Sequence, residues 1–205
     1  MLLDQAYCRL HGRGLASVVE DITGSTPIAI ALRIITEGHY HHPAEPVNIA
    51  LVDRDVDLLI ELRRAGLPDP ATLLSTLCRR SHTHIRQVAV RYRLKRGIDM
   101  DRDFRTCAMF TQETRAVVVH IIRSALDPTY RDVMLLKDAL RKSDPTLMAV
   151  RMTRMHWYPQ HWHQVKSQYM GICGEHLIER MNSRYNGLFR DLMVTMAQVP
   201  VVGSF

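Results

Sequence analysis

The sequence lacks what it would need to cross a bilayer, leave the cell or carry out chemistry of a familiar kind. None of its apolar runs approaches the roughly 20 residues that span a membrane. Its opening stretch, MLLDQAYCRLHGRG, mixes acid and base and has no apolar core of the sort an export signal requires. A cytoplasmic location is therefore expected. The four cysteines, Cys8, Cys78, Cys107 and Cys173, stand singly with no CxxC pair. Each lies among apolar neighbours in a helix-like stretch, which predicts buried free thiols in a reducing compartment. There is no P-loop, GxGxxG, GxSxG or HExxH motif, and no pair of carboxylates placed to flank a cleft. No enzyme is expected. No segment alternates apolar and polar residues as a strand would, so the fold class is all-α.

What is present is a substantial, ordered composition. The chain has 205 residues, 46% hydrophobic and 23% charged, enough to bury a core as one domain or two closely packed ones. A formal charge of +6 favours anionic partners, namely nucleic acid, acidic lipid headgroups or acidic proteins. The pattern that organises the chain is a phrase occurring three times: Tyr, four residues, Gly, two residues, then Leu or Met. The copies are Tyr7–Gly12–Leu15, Tyr92–Gly97–Met100 and Tyr169–Gly174–Leu177, starting 85 and 77 residues apart. Such a period indicates a tandem array of one large helical unit.

The fullest unit reads as five helices. VNIALVDRDVDLLIELRR has apolar residues at helical spacing and stops at Ala65-Gly66-Leu67-Pro68. Asp69 and Pro70 then supply an N-cap and a first-turn proline for the second helix. Ser81 caps a third, which ends at Gly97 as a C-terminal stop. A short helix near 100–109 and the apolar ETRAVVVHIIRSAL complete the set. RDVMLLKDAL, Ser143-Asp144-Pro145 with TLMAVRMTRM, HWHQVKSQY to Gly174, EHLIERM and GLFRDLMVTMAQ repeat the order. The start of the chain fits only the latter half of a unit.

Five helices per unit, a Gly-containing first loop, a third helix closed by Tyr-x4-Gly and an apolar fifth helix resemble the annexin repeat. LRRAGLPDPATLL, CRRSH, VRYRLKRGIDMDRDF and TQETRAVVVHII stand at its motifs, followed by LRKSDPTLM, MTRMH, QYMGICGEHLIERM and YNGLFRDLM. The resemblance implies tandem annexin-like repeats packed into a curved helical array. Residues 1–38 would be the C-terminal half of a repeat, 39–127 and 128–198 complete repeats, and 199–205 a tail. It also implies peripheral, calcium-dependent binding of anionic phospholipid membranes. In that family the first loop gives backbone carbonyls to calcium and an acid near the fifth helix closes the shell; calcium takes six to eight oxygens, so the loop must curl. Here one glycine, Gly66, remains beside Arg64 and Leu67, and Glu113 falls near the acidic position. Together they would form a vestigial calcium site. The later loop, Arg141-Lys142-Ser143-Asp144, has no glycine, and Leu188 replaces its acid. Calcium is thus expected to bind weakly or not at all. On the membrane-facing side implied by the resemblance lie Arg63, Arg64, Arg141 and Lys142, which would hold lipid by charge.

The alternative is a non-catalytic helical scaffold for protein or nucleic acid. Nucleic acid is the lesser of these, although RQVAVRYRLKR carries five cations. Of the eleven histidines, eight fall in three clusters, His39, His41 and His42, then His82 and His84, then His156, His161 and His163; they read as loop and helix-surface groups rather than a metal site. Trp157, Tyr158 and Trp162 read as packing or a partner contact. The half unit at the start should leave apolar faces that self-association or a protein partner would cover.

Overall fold

A computed structural model of the chain describes residues 2–24, 26–37, 46–64 and 69–198. It divides into two compact units, residues 1–126 and 127–205. Among the described residues the regular structure is helical, with no strand.

The first unit holds α1 (Leu2–His11), α2 (Leu15–Thr23), α3 (Pro27–Glu37), α4 (Ile49–Arg64), α5 (Pro70–Cys78), α6 (His82–Arg96), α7 (Met100–Arg105) and α8 (Gln112–Leu126). Helix α4 lies on α6, α6 on α8, and α7 on α8, while α3 packs against α5 and α8. Val56, Leu59, Leu73, Leu74, Ile85, Tyr92, Phe104 and Ile122 fill the space between them. Helices α1–α3 leave Leu10, Ile22, Ile28, Leu32 and Ile35 exposed.

The second unit holds α9 (Pro128–Lys142), α10 (Pro145–His156), α11 (Pro159–Cys173), α12 (Leu177–Arg184) and α13 (Gly187–Gln198). Helix α9 packs on α10 and α11, and α13 on α10 and α12. Its core is built differently: Met148, Met152, Met155, Met181 and Met193 are all buried, against Met100 alone in the first unit's cluster. Methionine is unbranched and adaptable, so it fills irregular gaps at some loss of rigidity.

Local signals fix where the helices begin. Asp69, Asp127 and Asp144 each precede a proline and accept a hydrogen bond from the backbone N–H three residues on, at 2.9, 2.8 and 3.0 Å. Each pairs an N-cap with a residue that has no N–H to leave unsatisfied. The Asp127 cap starts α9 three residues before the predicted RDVMLLKDAL. Ser81 caps α6 through the His84 N–H as expected.

The repeated phrase marks helix ends. Gly12, Gly97 and Gly174 have φ of 72, 71 and 72°, and each donates its N–H to the carbonyl four residues back at 2.7–2.9 Å. A side chain is disfavoured in this left-handed conformation, so the glycine both stops the helix and turns the chain into the next one. Tyr92 and Tyr169, five residues earlier, are fully buried anchors.

Interhelical turns and buried carboxylates

Of the two turns expected to face lipid, the second is described throughout and the first only at its flanks. Residues 65–68, with Gly66, lie outside the described residues. Arg64 is exposed at the end of α4. Arg63 turns inward: its Nε donates to Asp103 Oδ1 at 2.9 Å. Asp103 also accepts from the Tyr92 hydroxyl at 2.8 Å and from Arg96 at 3.4 Å. Burial opposes its charge, but the Tyr92 bond and the two guanidiniums outweigh that and hold its carboxyl below the ordinary range. Glu113 is half-buried in the first turn of α8, where a negative charge suits the helix dipole. Among the described residues no three His, Cys, Asp or Glu side chains converge as metal ligands would.

The α9–α10 turn consists of two residues, Ser143 and Asp144. Ser143 adopts φ of 51°. The N–H groups of Ser143 and Asp144 return to the carbonyls of Leu140 and Ala139 at 3.2 and 3.1 Å. The Tyr185 hydroxyl donates to the Ala139 and Asp144 carbonyls at 3.4 and 3.3 Å. The carbonyls of Ala139, Leu140 and Asp144 are thus engaged within the chain. Beside it, Arg141 and Lys142 are 71% and 49% exposed and, with Arg151, share the single carboxylate of Asp138. Tyr185 also brings the α12–α13 turn alongside, where Leu188 is 87% exposed.

The cations of α6 are satisfied within the protein. Arg91 and Lys95 reach Asp53 and Asp57 of α4, Arg93 reaches Asp99, and Arg86 donates to the Ala125 carbonyl. Carboxylates offset part of the charge of this helix, and Arg86 keeps its own.

Two histidines depart from the surface reading. His84 is buried with Nε2 2.8 Å from Asp55 Oδ2, and Arg80 binds the same carboxylate through Nε and Nη2 at 2.6 and 2.9 Å. His161 lies 2.7 Å from Asp132, which also binds Arg131 and Arg154. Both pairs span 29 residues and recur 77 residues apart, a signal present in the sequence but obscured by the many other histidines. His39, His41 and His42 lie outside the described residues. Trp162 is buried in the core, whereas Trp157 and Tyr158 are exposed. Of the cysteines only Cys107 is fully buried, and it lies between α7 and α8 rather than in a helix; Cys78 and Cys173 are half-buried and Cys8 is exposed. Burial pushes the Cys78 thiol up to about 11, leaving it a poor nucleophile.

No family model matches the chain, and no curated protein does. Solved structures do. The K16A mutant of annexin A8 superimposes with a TM-score of 0.80 at 14% identity over 96% of this chain and 61% of its own. Calcium-bound α-14 giardin gives 0.78 at 15% identity, covering 96% and 64%. Chicken annexin V gives 0.74 at 14%, covering 96% and 61%. The chain spans about three fifths of the length of these structures. No helix among the described residues is long and apolar enough to cross a membrane. With its Tyr-x4-Gly helix stops, Asp-Pro caps and all-helical units, the chain has the annexin fold.

Proposed function

We propose that this protein binds anionic phospholipid bilayers peripherally, as a non-catalytic module, through basic and apolar side chains at its interhelical turns. One observation carries the reading: the α9–α10 turn is closed on its own hydrogen bonds while Arg141, Lys142 and the neighbouring Leu188 project into solvent. Three cations there share one carboxylate, leaving a positive excess that an anionic leaflet complements. Arg64 would contribute at the α4–α5 turn. Arg63 would act from behind, through Asp103. Calcium adds little in this reading, held at most weakly by Gly66 and Glu113. Residues 1–38 are read as half a repeat and 39–127 and 128–198 as complete ones; the tail 199–205 lies outside the described residues. The cytoplasmic face of a membrane is the setting that fits.

Co-sedimentation with phosphatidylserine vesicles tests this. Binding should persist in chelator and weaken with salt. Replacing both Arg141 and Lys142 by Ala should lower affinity by roughly tenfold or more, at about 1 kcal/mol per cation. Pelleting that requires calcium would restore the Gly66–Glu113 site as the active element. Absence of pelleting under both conditions would leave a protein-binding scaffold as the function.

A further inference from the structure

Asp132 stands near the start of α9 and is 2% exposed. Arg131 binds it through Nε and Nη2, each at 2.8 Å, and His161 Nε2 lies 2.7 Å from Oδ2. One arginine and one imidazole satisfy the equivalent carboxylate, Asp55. Asp132 has a second arginine as well: Arg154 Nη2 also donates to it. Arg154 is therefore surplus to neutralising the carboxylate. It is 48% exposed, and its bond to Asp132 uses one of five N–H donors.

The surplus faces a cavity. Arg131, Asp132, Arg154, Met155, Tyr158 and His161 line a cleft of about 240 Å³. Asp132 is the one carboxylate among them, against two guanidiniums, so the cleft carries a positive excess. It borders the amino end of α11, where Tyr158 provides no side-chain cap. Trp157, next in sequence to the lining residue Tyr158, is 74% exposed. The volume lies below the roughly 300–1,000 Å³ typical of drug-sized pockets, which suits a small ligand.

We propose that this cleft binds the phosphate monoester group of a small molecule. Arg154 is the principal contact, its guanidinium orientated by Asp132 and presenting its remaining donors to the phosphate oxygens. Arg131 and His161 hold the carboxylate that fixes Arg154, and Tyr158 forms a wall. The site is separate from the turn assigned to lipid. Asp132 and Lys142 are ten residues apart on α9, about 15 Å along its axis.

The test is a titration of the full chain at low salt, followed by tryptophan fluorescence and calorimetry. The probes are inorganic phosphate, a nucleoside 5′-monophosphate and a soluble inositol phosphate. Saturable binding is expected, weakened at least tenfold in Arg154→Ala, partly retained in Arg154→Lys and unchanged in Arg184→Ala. Arg154→Ala should fold, since Arg131 and His161 still hold Asp132; circular dichroism checks this. Preference for the inositol phosphate would identify a lipid headgroup as the source, and preference for the nucleotide a soluble metabolite. Absence of saturation with all three probes would overturn the proposal. So would equal binding by wild type and a folded Arg154→Ala, or an equal loss in Arg184→Ala.

Discussion

In α4–α8 the Tyr92 hydroxyl donates to Asp103, which also holds Arg63 and Arg96; 77 residues on stand Tyr169, Arg180, Leu140 and Cys173. The carboxylate has become a cation that reaches out to Glu175 at 3.4 Å, and both arginines have gone. Tyr169 is still buried, now beside Cys173, and burial pushes its hydroxyl well above the usual phenol range. The same helix stop is thus held by a buried ionic network in one set and by adaptable apolar packing, rich in methionine, in the other. At the other buried carboxylate the balance reverses. Asp55 has one arginine and Asp132 has two. Charge is distributed differently over helices that follow the same order, and the second set carries exposed cations near both ends of α9.

Removing the carboxylates should break this comparison most severely. Asp132→Ala leaves three basic side chains facing one another and should cost about 3–5 kcal/mol, the range for breaking a buried ion pair. Asp55→Ala should cost less, because two groups rather than three lose their partner; urea unfolding of both variants measures the difference. The acid limb gives the sign. Burial of Asp132 opposes its charge, but its bonds to Arg131 and His161 and the charges of Arg131 and Arg154 lower its pKa. Its contribution is therefore complete above the unfolded carboxylate pKa of about 4 and is lost as pH falls through the depressed folded value. Unfolding of Asp132→Ala should be less acid-sensitive than that of the wild type, read from melting temperatures between neutral and strongly acidic pH.

A smaller effect separates the two tyrosines. Tyr92→Phe removes a bond to a charged acceptor and should cost about 1.5–3 kcal/mol; Tyr169→Phe, with a sulfur neighbour, should cost nearer 0.5–1.5 kcal/mol. Equal losses in chemical denaturation would mean that the Asp103 network does not depend on its hydroxyl. The smallest effect should be the same in both sets. Gly97→Ala and Gly174→Ala each force a side chain into positive φ and should cost about 1 kcal/mol, measured in the same way.

Much of the architecture was legible in local chemistry. Asp69-Pro70 and Asp144-Pro145 specify helix starts, and Gly97 and Gly174 specify helix ends, because capping depends on residues within one turn. The substitutions Arg141, Lys142 and Leu188 were equally visible as departures from a calcium-binding pattern. Arg63 was not legible as an internal residue. Its partner Asp103 lies 40 residues away, and nothing nearby distinguishes it from exposed Arg64. Neither was the fate of the α6 cations, whose acceptors lie on α4.

By itself the sequence determined the all-helical class, the large repeat and the helix ends marked by Asp69, Ser81, Gly97, Asp144 and Gly174, since these follow from periodicity and from caps that act over a few residues. Tertiary structure alone decided which charges are spent and which are free. Whether Arg63 pairs inward, Arg141 faces solvent or Arg154 exceeds what Asp132 needs depends on which helices touch, and an ion pair has physical consequence only when both partners and their burial are known.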